Sequence, residues 1–544
     1  MSKETAPKEA VPTKKTSRRA TVVMVTLCAA VFVAALDQTM VLTLMQEIMV
    51  SLGIDVEHIG DAGWIITGYL LGYTIAMPLF GRLTDVQGRR PMAILALALF
   101  GVGSLGCVLL SRFDLFVVAR VVQAAGGGAL VPIAMAAAAD MFPFERRALV
   151  LGIVGGAAEA GGVLGPLYGV GLDALWYWRL IFIVNIPLCL ILIAICWRVL
   201  RGEAGSAATA AAGDEVDLDA ERAARLGGSP RWWQRGRVDY VGSLLMALAL
   251  AGITVGLGTG TETVDTSATD TPAGVPVNWP WLVVSAVAFI AFILYESRHY
   301  RPLIRLDLFK RPAFAASNIA NFLVGAALII GMVEIPLYSY TLFGLEKWEA
   351  GLLLIQLTLP IPIGAVVGGW LADRIGNRIT AALGFLVAAA GYFLVSRWPI
   401  DPGFWQRLLD LVISGLGFGL VIGPIGASVT SSGGPKWMAT GSALVTVSRM
   451  VGMAVGLAAV SSWGVRRFNS LAAHSTVTVV RTPGMTEIDY QTALASAITR
   501  DSLHTVFSEF FIIAAIAVAL AVVPAMFFYK HRAKGTAQMP FLPH

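Results

Sequence analysis

The sequence predicts an all-α membrane protein, built as two six-helix bundles with two additional transmembrane helices between them. Three observations lead there. Of the 544 residues, 56% are hydrophobic and only 14% charged, with a mean hydropathy of +0.73. A soluble domain carries about 25% charged residues, so this chain has too little polar surface to coat a water-soluble globule. Apolar runs recur along its whole length, and a bilayer-crossing helix needs about 20 such residues. Finally, GRLTDVQGRR at 81–90 returns as GWLADRIGNR at 369–378, a shift of 288 residues. The same composition excludes a disordered chain, a disulfide scaffold and an ordinary soluble enzyme.

The apolar runs fall near 21–46, 61–80, 91–111, 114–139, 148–171 and 179–198, which makes six helices. Two more lie near 238–258 and 280–297, and six follow near 313–342, 348–371, 379–396, 406–430, 437–465 and 505–529. The expected organisation is a cytoplasmic tail (1–20), a first bundle (21–198), a cytoplasmic linker (199–237) and the extra pair (238–297). A second bundle (313–530) with an external extension (466–504) and a cytoplasmic tail (531–544) complete it. The basic start, with Lys14, Lys15, Arg18 and Arg19, precedes an apolar run of about 25 residues without a small-residue cleavage site, so it reads as a retained first span.

Charge placement tests the count, because one missed span would invert every later loop. Arg82, Arg89, Arg90, Arg146, Arg147, Arg298, Arg301, Arg305, Lys310, Arg311, Arg374, Arg378, Lys436 and Lys530 all fall on the side of the basic N-terminus. The opposite loops at 47–60 and 259–279 hold no Lys or Arg. Both termini are therefore expected in the cytoplasm. The net charge of +5 is explained by these alternating loops and forms no basic stripe, which argues against a nucleic-acid partner. Cys28, Cys107, Cys189 and Cys196 lie in apolar stretches without CxxC spacing and read as small core residues.

The two copies of the ten-residue segment occupy the same loop, between the second and third helix of each bundle, so the halves are related by duplication. In the first copy, Gly81, Leu83, Asp85, Gly88, Arg89 and Arg90 resemble the signature loop of the major facilitator superfamily, and the resemblance extends over the whole chain. Physically it is a tight turn in which glycines allow positive φ and close helix approach. Asp85 can bond either a neighbouring helix N-terminus or an arginine across the half interface. The resemblance implies that this cluster latches the cytoplasmic side while the protein faces outward. Asp373, with Arg374 and Arg378, is the candidate counterpart; a basic turn that only fixes topology remains the plainer alternative, more so for this second copy.

Arg120 and Gln123, followed by Gly126, Gly127 and Gly128, are similar to the superfamily's fourth-helix motif, whose arginine the resemblance associates with proton transfer. An arginine at membrane depth costs about 2.5–3.5 kcal/mol on insertion scales, so it should face the bundle interior and bond carbonyls or a carboxylate. Gly161-Gly162-Val163-Leu164-Gly165-Pro166 resembles the fifth-helix antiporter motif of proton-coupled exporters, with glycines for close packing and Pro166 removing a backbone donor. Trp176 through Pro187, with Asn185, and Leu36-Asp37-Gln38-Thr39 resemble segments of the fourteen-span drug:proton antiporter family, which also has two extra spans. The tryptophans fit interfacial anchoring as well as substrate contact.

None of the six histidines lies deep in a span, so a proton relay must use carboxylates. Asp37, Glu159 and Arg449 fall near mid-membrane, where opening and closing an ion pair turns proton binding into a conformational bias. The expectation is that Arg449 alternates between the two acids or releases one, the alternative being a static pair that fixes helix packing. Glu334 and Asp410 sit nearer span ends and read as structural or rim residues.

Beyond these charges the spans hold few amides or hydroxyls, which favours a lipophilic cargo. Leu70-Leu71-Gly72-Tyr73, Ala157-Ala158-Glu159, Gly419-Leu420-Val421-Ile422-Gly423-Pro424 and Ser448-Arg449-Met450 look closest to the actinobacterial branch linked to triacylglyceride export with a partner lipoprotein. The extension at 466–504, with a β-prone stretch at 475–480 and a helical-looking run from about 486, fits extended helix ends with a small hairpin as an external platform for a lipid or lipoprotein, or a lineage-specific insertion. The resulting expectation is a proton-coupled exporter in a bacterial cytoplasmic membrane, with membrane lipids and a lipophilic small molecule as partners and the proton gradient in place of any cofactor. A multidrug:proton antiporter and a non-transporting membrane receptor or scaffold are the alternatives. No phosphate-binding GxxxxGK[ST] loop, HExxH helix or nucleophile–base arrangement indicates an enzyme.

Overall fold

In lipid every backbone N–H and C=O must find its partner within the segment, so the long apolar runs have helix as their only open-ended solution. The computed structural model describes residues 18–52, 59–142, 146–175, 177–199, 239–256, 278–299, 302, 304, 306–344, 347–433, 437–475, 477–478 and 486–529. The first half contains α1 (Arg18–Thr43), α2 (Met45–Ser51), α3 (Ile59–Gln87), α4 (Arg89–Leu109), α5 (Phe113–Met141), α6 (Arg147–Leu175) and α7 (Leu180–Val199). The intervening pair is α8 (Tyr240–Gly256) and α9 (Trp279–Arg298). The second half contains α10 (Pro312–Thr341), α11 (Lys347–Thr358), α12 (Pro360–Ile375), α13 (Asn377–Val395), α14 (Phe404–Gly433), α15 (Met438–Ala473), α16 (Glu487–Leu520) and α17 (Val522–Ala525). No strand occurs among the described residues, in which twelve helices are long and apolar enough to cross a membrane.

Packing repeats as the sequence does. Within the first half α1 packs on α6, α5 on α3 and α4, and α4 on α7; within the second, α10 packs on α15, α14 on α12 and α13, and α13 on α16. Across the halves α3 meets α15 and α12 meets α6, two contacts that the duplication makes equivalent. The extra helices pack on each other and lean through α8 on α3 and α15; Ser285 Oγ donates to the Ala249 carbonyl at 2.7 Å to tie them.

Small residues set the closest approaches. A Cβ on Gly161 would overlap the Phe32 carbonyl and Ala35 of α1, and one on Gly165 would overlap Thr39 and the Leu36 carbonyl. Gly452 and Gly456 serve α15 in the same way against Phe322 and Ala326 of α10.

One element departs from the sequence expectation: the run at 348–371 is divided at Leu359 because Pro360, opening α12, has no N–H to continue α11. The helices at 437–465 and 505–529 run beyond the apolar stretch, as α15 to Ala473 and α16 from Glu487, in line with the extended helix ends and the helical run from about 486. A capping box starts α16: Asp489 N donates to Thr486 Oγ1 at 3.2 Å, and Thr486 N donates back to the Asp489 carboxylate at 3.2 Å. Half of the β-prone stretch at 475–480 and nearly all of the linker lie outside the described residues; Ser475, Val477 and Thr478 are not in a strand.

The neighbouring glycines of α6 give a test. Gly161→Ala must displace α1 backbone and is expected to destabilise by about 1–3 kcal/mol, read as a lower melting temperature in detergent. Gly162→Ala, with nothing within 4 Å of its new Cβ, should melt with the wild type.

Candidate functional site

Asp37 of α1 is completely buried, as are Arg120 and Gln123 of α5 and Asn185 of α7. The only way to hold a carboxylate there is to saturate it. Arg120 Nη1 donates to Asp37 Oδ2 at 2.7 Å, while Gln123 Nε2 and Asn185 Nδ2 donate to Oδ1 at 2.8 and 2.9 Å. Gln123 accepts from Arg120 Nη1 at 2.6 Å and donates to Ser104 Oγ of α4 at 2.8 Å. The Arg120 guanidinium lies 4.2 Å from the centroid of the Tyr69 ring, a cation–π contact. Four helices of the first half thus converge on one carboxylate.

A second pair has a different character. Arg449 Nη1 of α15 lies 2.5 Å from Glu159 Oε1 of α6, with side chains 20% and 15% exposed. It joins the two halves. In this conformation Arg120 holds Asp37, whose oxygens are taken by three donors, and Arg449 pairs with Glu159.

On the face bearing the basic loops, each half caps a helix of the other. Asp85, at the end of α3, accepts from the backbone N–H groups of Ala439 and Thr440 at 3.1 and 2.9 Å, and from Thr440 Oγ1 at 2.7 Å. Asp373, at the end of α12, accepts from the N–H groups of Ala148 and Leu149, both at 3.1 Å. Both carboxylates satisfy orphan donors in the first turn of a helix and sit at its positive end. Gly81 lets α3 approach Ala439 and Ala443, and its repeat partner Gly369 lets α12 approach Ala148 and Leu149. Gly88 and Gly376 hold φ of 93° and 95°, the left-handed region that glycine enters without strain. Arg89 pairs with Asp140 of α5, and the Arg90 guanidinium lies 5.8 Å from the Trp197 ring centroid.

The remaining sequence candidates are placed as follows. Gly165 packs on α1, and Thr39 Oγ1 donates to the Gly162 carbonyl at 2.9 Å; Pro166 lies within α6. Trp178 is not an interfacial anchor, because it is buried edge-to-face against Phe116 and Phe182. Asp410 accepts from Trp398 Nε1 at 2.8 Å, a structural bond. Among the described residues no group could hold a metal ion. The roles of Asn185 and Ser104 had not been singled out; the signal was an amide and a hydroxyl inside otherwise apolar spans.

The fold and these pairs define a multi-pass membrane protein of two pseudo-equivalent halves with charges kept at their core and seam. Residues 27–457 match the Major Facilitator Superfamily, and the chain belongs to that family. It is a secondary transporter, not an enzyme. It is 39% identical to a protein named triacylglyceride transporter from Mycobacteroides abscessus, over 81% of each chain. It is 35% identical to a probable triacylglyceride transporter of Mycobacterium leprae over 90% of this chain and 92% of the relative, and 34% identical to a triacylglyceride transporter of Mycobacterium tuberculosis over 90% of each. Among solved structures, the human organic anion transporter MFSD10 shares the fold with a TM-score of 0.53 at 14% identity, covering 92% of this chain and all of that one. The proton:xylose symporter XylE does so with a TM-score of 0.53 at 13% identity, over 92% and 95%.

The buried network gives a stability prediction. Arg120→Met strands the Asp37 carboxylate and should destabilise the protein by about 3–5 kcal/mol. Adding Asp37→Asn removes the stranded charge and should recover much of that loss, read from melting temperatures of the single and double variants.

Proposed function

We propose that the protein exports a triacylglyceride-class lipid from a bacterial cytoplasmic membrane by alternating access, driven by inward proton movement. The cargo class is taken from the names of relatives that align over most of the chain. The mechanism rests on one observation, the Glu159–Arg449 pair, because it is an acid–base contact that crosses from one half to the other. Proton binding to Glu159 removes its charge and releases Arg449, so protonation changes the energy of the seam between the halves. A proton acting only inside one rigid bundle would have no such leverage.

The placement of the Lys and Arg loops supports fourteen spans with both termini in the cytoplasm. In that orientation the capped face is cytoplasmic, and the conformation is closed inward. Asp85 and Asp373 then hold the cytoplasmic gate, Gly81, Gly88 and Gly165 give the close approaches on which it seats, and Pro166 marks the helix that bends. Protonation from outside opens the Glu159–Arg449 pair, the two caps release, and the halves part on the cytoplasmic side to load lipid. The buried Asp37–Arg120 network is the second protonatable centre, reporting to α4, α5 and α7. The outward continuation of α15 and α16 past the membrane gives the lipid, and an external lipoprotein partner, a surface to meet.

Proteoliposomes with an imposed pH gradient and a fluorescent triacylglyceride test this. The wild type should move the lipid outward with the gradient. Glu159→Gln and Arg449→Ala should reduce gradient-driven transport about 5–150-fold, the range of a coupling free energy of about 1–3 kcal/mol. Wild-type rates in both variants would remove the pair from the mechanism, and extrusion of a cationic dye without lipid movement would assign a drug cargo instead.

A further inference from the structure

Glu334 was expected at the rim, yet it is only 5% exposed inside the second half. It lies in the C-terminal third of α10 (Pro312–Thr341), three residues beyond Gly331. The Tyr392 hydroxyl of α13 and the Leu357 side chain of α11 crowd against Gly331, and residues three apart share a helix face. Glu334 Oε2 is buried and has no hydrogen-bond partner. No Lys, Arg or His among the described residues forms an ion pair with it.

Several charged groups on the packed elements are engaged elsewhere. On α16, Arg500 Nη2 donates to the Leu342 carbonyl at 3.4 Å and His504 Nε2 lies 2.9 Å from the Trp398 carbonyl. On α14, Arg407 covers the Phe343 ring and Asp410 takes the Trp398 indole. On α15, Arg449 holds Glu159 and Arg467 holds Glu509. Tyr338 lies one turn along α10 from Glu334, and the Tyr392 hydroxyl faces Gly331 from α13. Gln356 Oε1, buried on α11, has no donor either.

An ionised carboxylate without a cation or donors is far more costly to bury than a neutral acid. Packing does not account for it, because a leucine would fill the site without that penalty, and an acid inside a span is by default functional. We propose that Glu334 is a third proton-binding group of the transporter, neutral in the conformation seen and ionised when α10 shifts against α11 and α13 and admits water to Tyr392 and Gln356. The inference rests on the proton-coupled reading above, but one of its tests does not. The first half grips Asp37 with Arg120, Gln123 and Asn185; in the second half one buried oxygen of Glu334 is reached by no donor. The transport cycle then counts protons in both halves.

The test is infrared spectroscopy of the full-length protein in lipid nanodiscs at pH 7, wild type against Glu334→Gln and Glu334→Asp. The wild type should show a carboxylic-acid C=O band that is lost completely in Glu334→Gln and shifted in Glu334→Asp. Since glutamine reproduces the shape of the neutral acid, that variant should fold, and the aspartate variant decides the matter if it does not. In proteoliposomes, Glu334→Gln should flatten the pH dependence of lipid transport. Absence of an acid band assignable to Glu334, or a wild-type pH profile in Glu334→Gln, overturns the proposal. Should no lipid move at all, the cargo assignment fails while the infrared band still decides whether Glu334 carries a proton.

Discussion

Lipid has no hydrogen-bonding group to lend, and that absence governs where every polar atom of this protein is placed. Inside the bundles a charge survives only beside its opposite, and the structure answers in two ways. Asp37 is sealed and saturated, with Arg120, Gln123 and Asn185 filling both of its oxygens. Glu159 is partly open and has one strong partner, Arg449. The first arrangement binds α1, α5 and α7 into one unit. The second ties the two halves together through one ion pair.

The reciprocal caps follow from the same constraint applied to backbone. The first turns of α6 and α15 begin at the basic face with N–H groups that have no intrahelical acceptor. Duplication placed an aspartate at the end of α3 and another at the end of α12, each within reach of the helix start in the opposite half. One sequence segment, used twice, thus produces a two-point seal with approximate twofold symmetry. The bonds are charge-assisted, which makes them stronger than neutral caps.

Much of this was legible in the sequence, for identifiable reasons. The repeat at 81–90 and 369–378 carries its own register, so Asp85 and Asp373 were candidates before any contact was seen. Asp37, Glu159, Arg120 and Arg449 stand out because charge is rare in an apolar span. Their pairing was not legible: depth along a helix is readable from residue counts, but azimuth is not fixed well enough to tell whether Asp37 faces α5 or α15. Gln123 and Asn185, neutral amides, gave weaker signals than the charges they satisfy. The extended helix ends, with a helical run from about 486, were legible too, because polar residues such as Arg467 and Glu509 end an apolar run without ending a helix. Within the long helices the pair they form, at 2.7 Å, braces the two where they leave the apolar zone.

The two central pairs differ in a way that assigns them different work. Separating Asp37 from Arg120 would leave a fully buried charge on each side, with no water nearby to accept either, so the separated state is expensive and rarely visited. Separating Glu159 from Arg449 leaves groups already 15% and 20% exposed, for which solvent can substitute at once. Breaking the seam pair is therefore the less costly of the two separations. That difference puts the contact which solvent can replace at the interface between the halves, and the saturated one inside a single bundle.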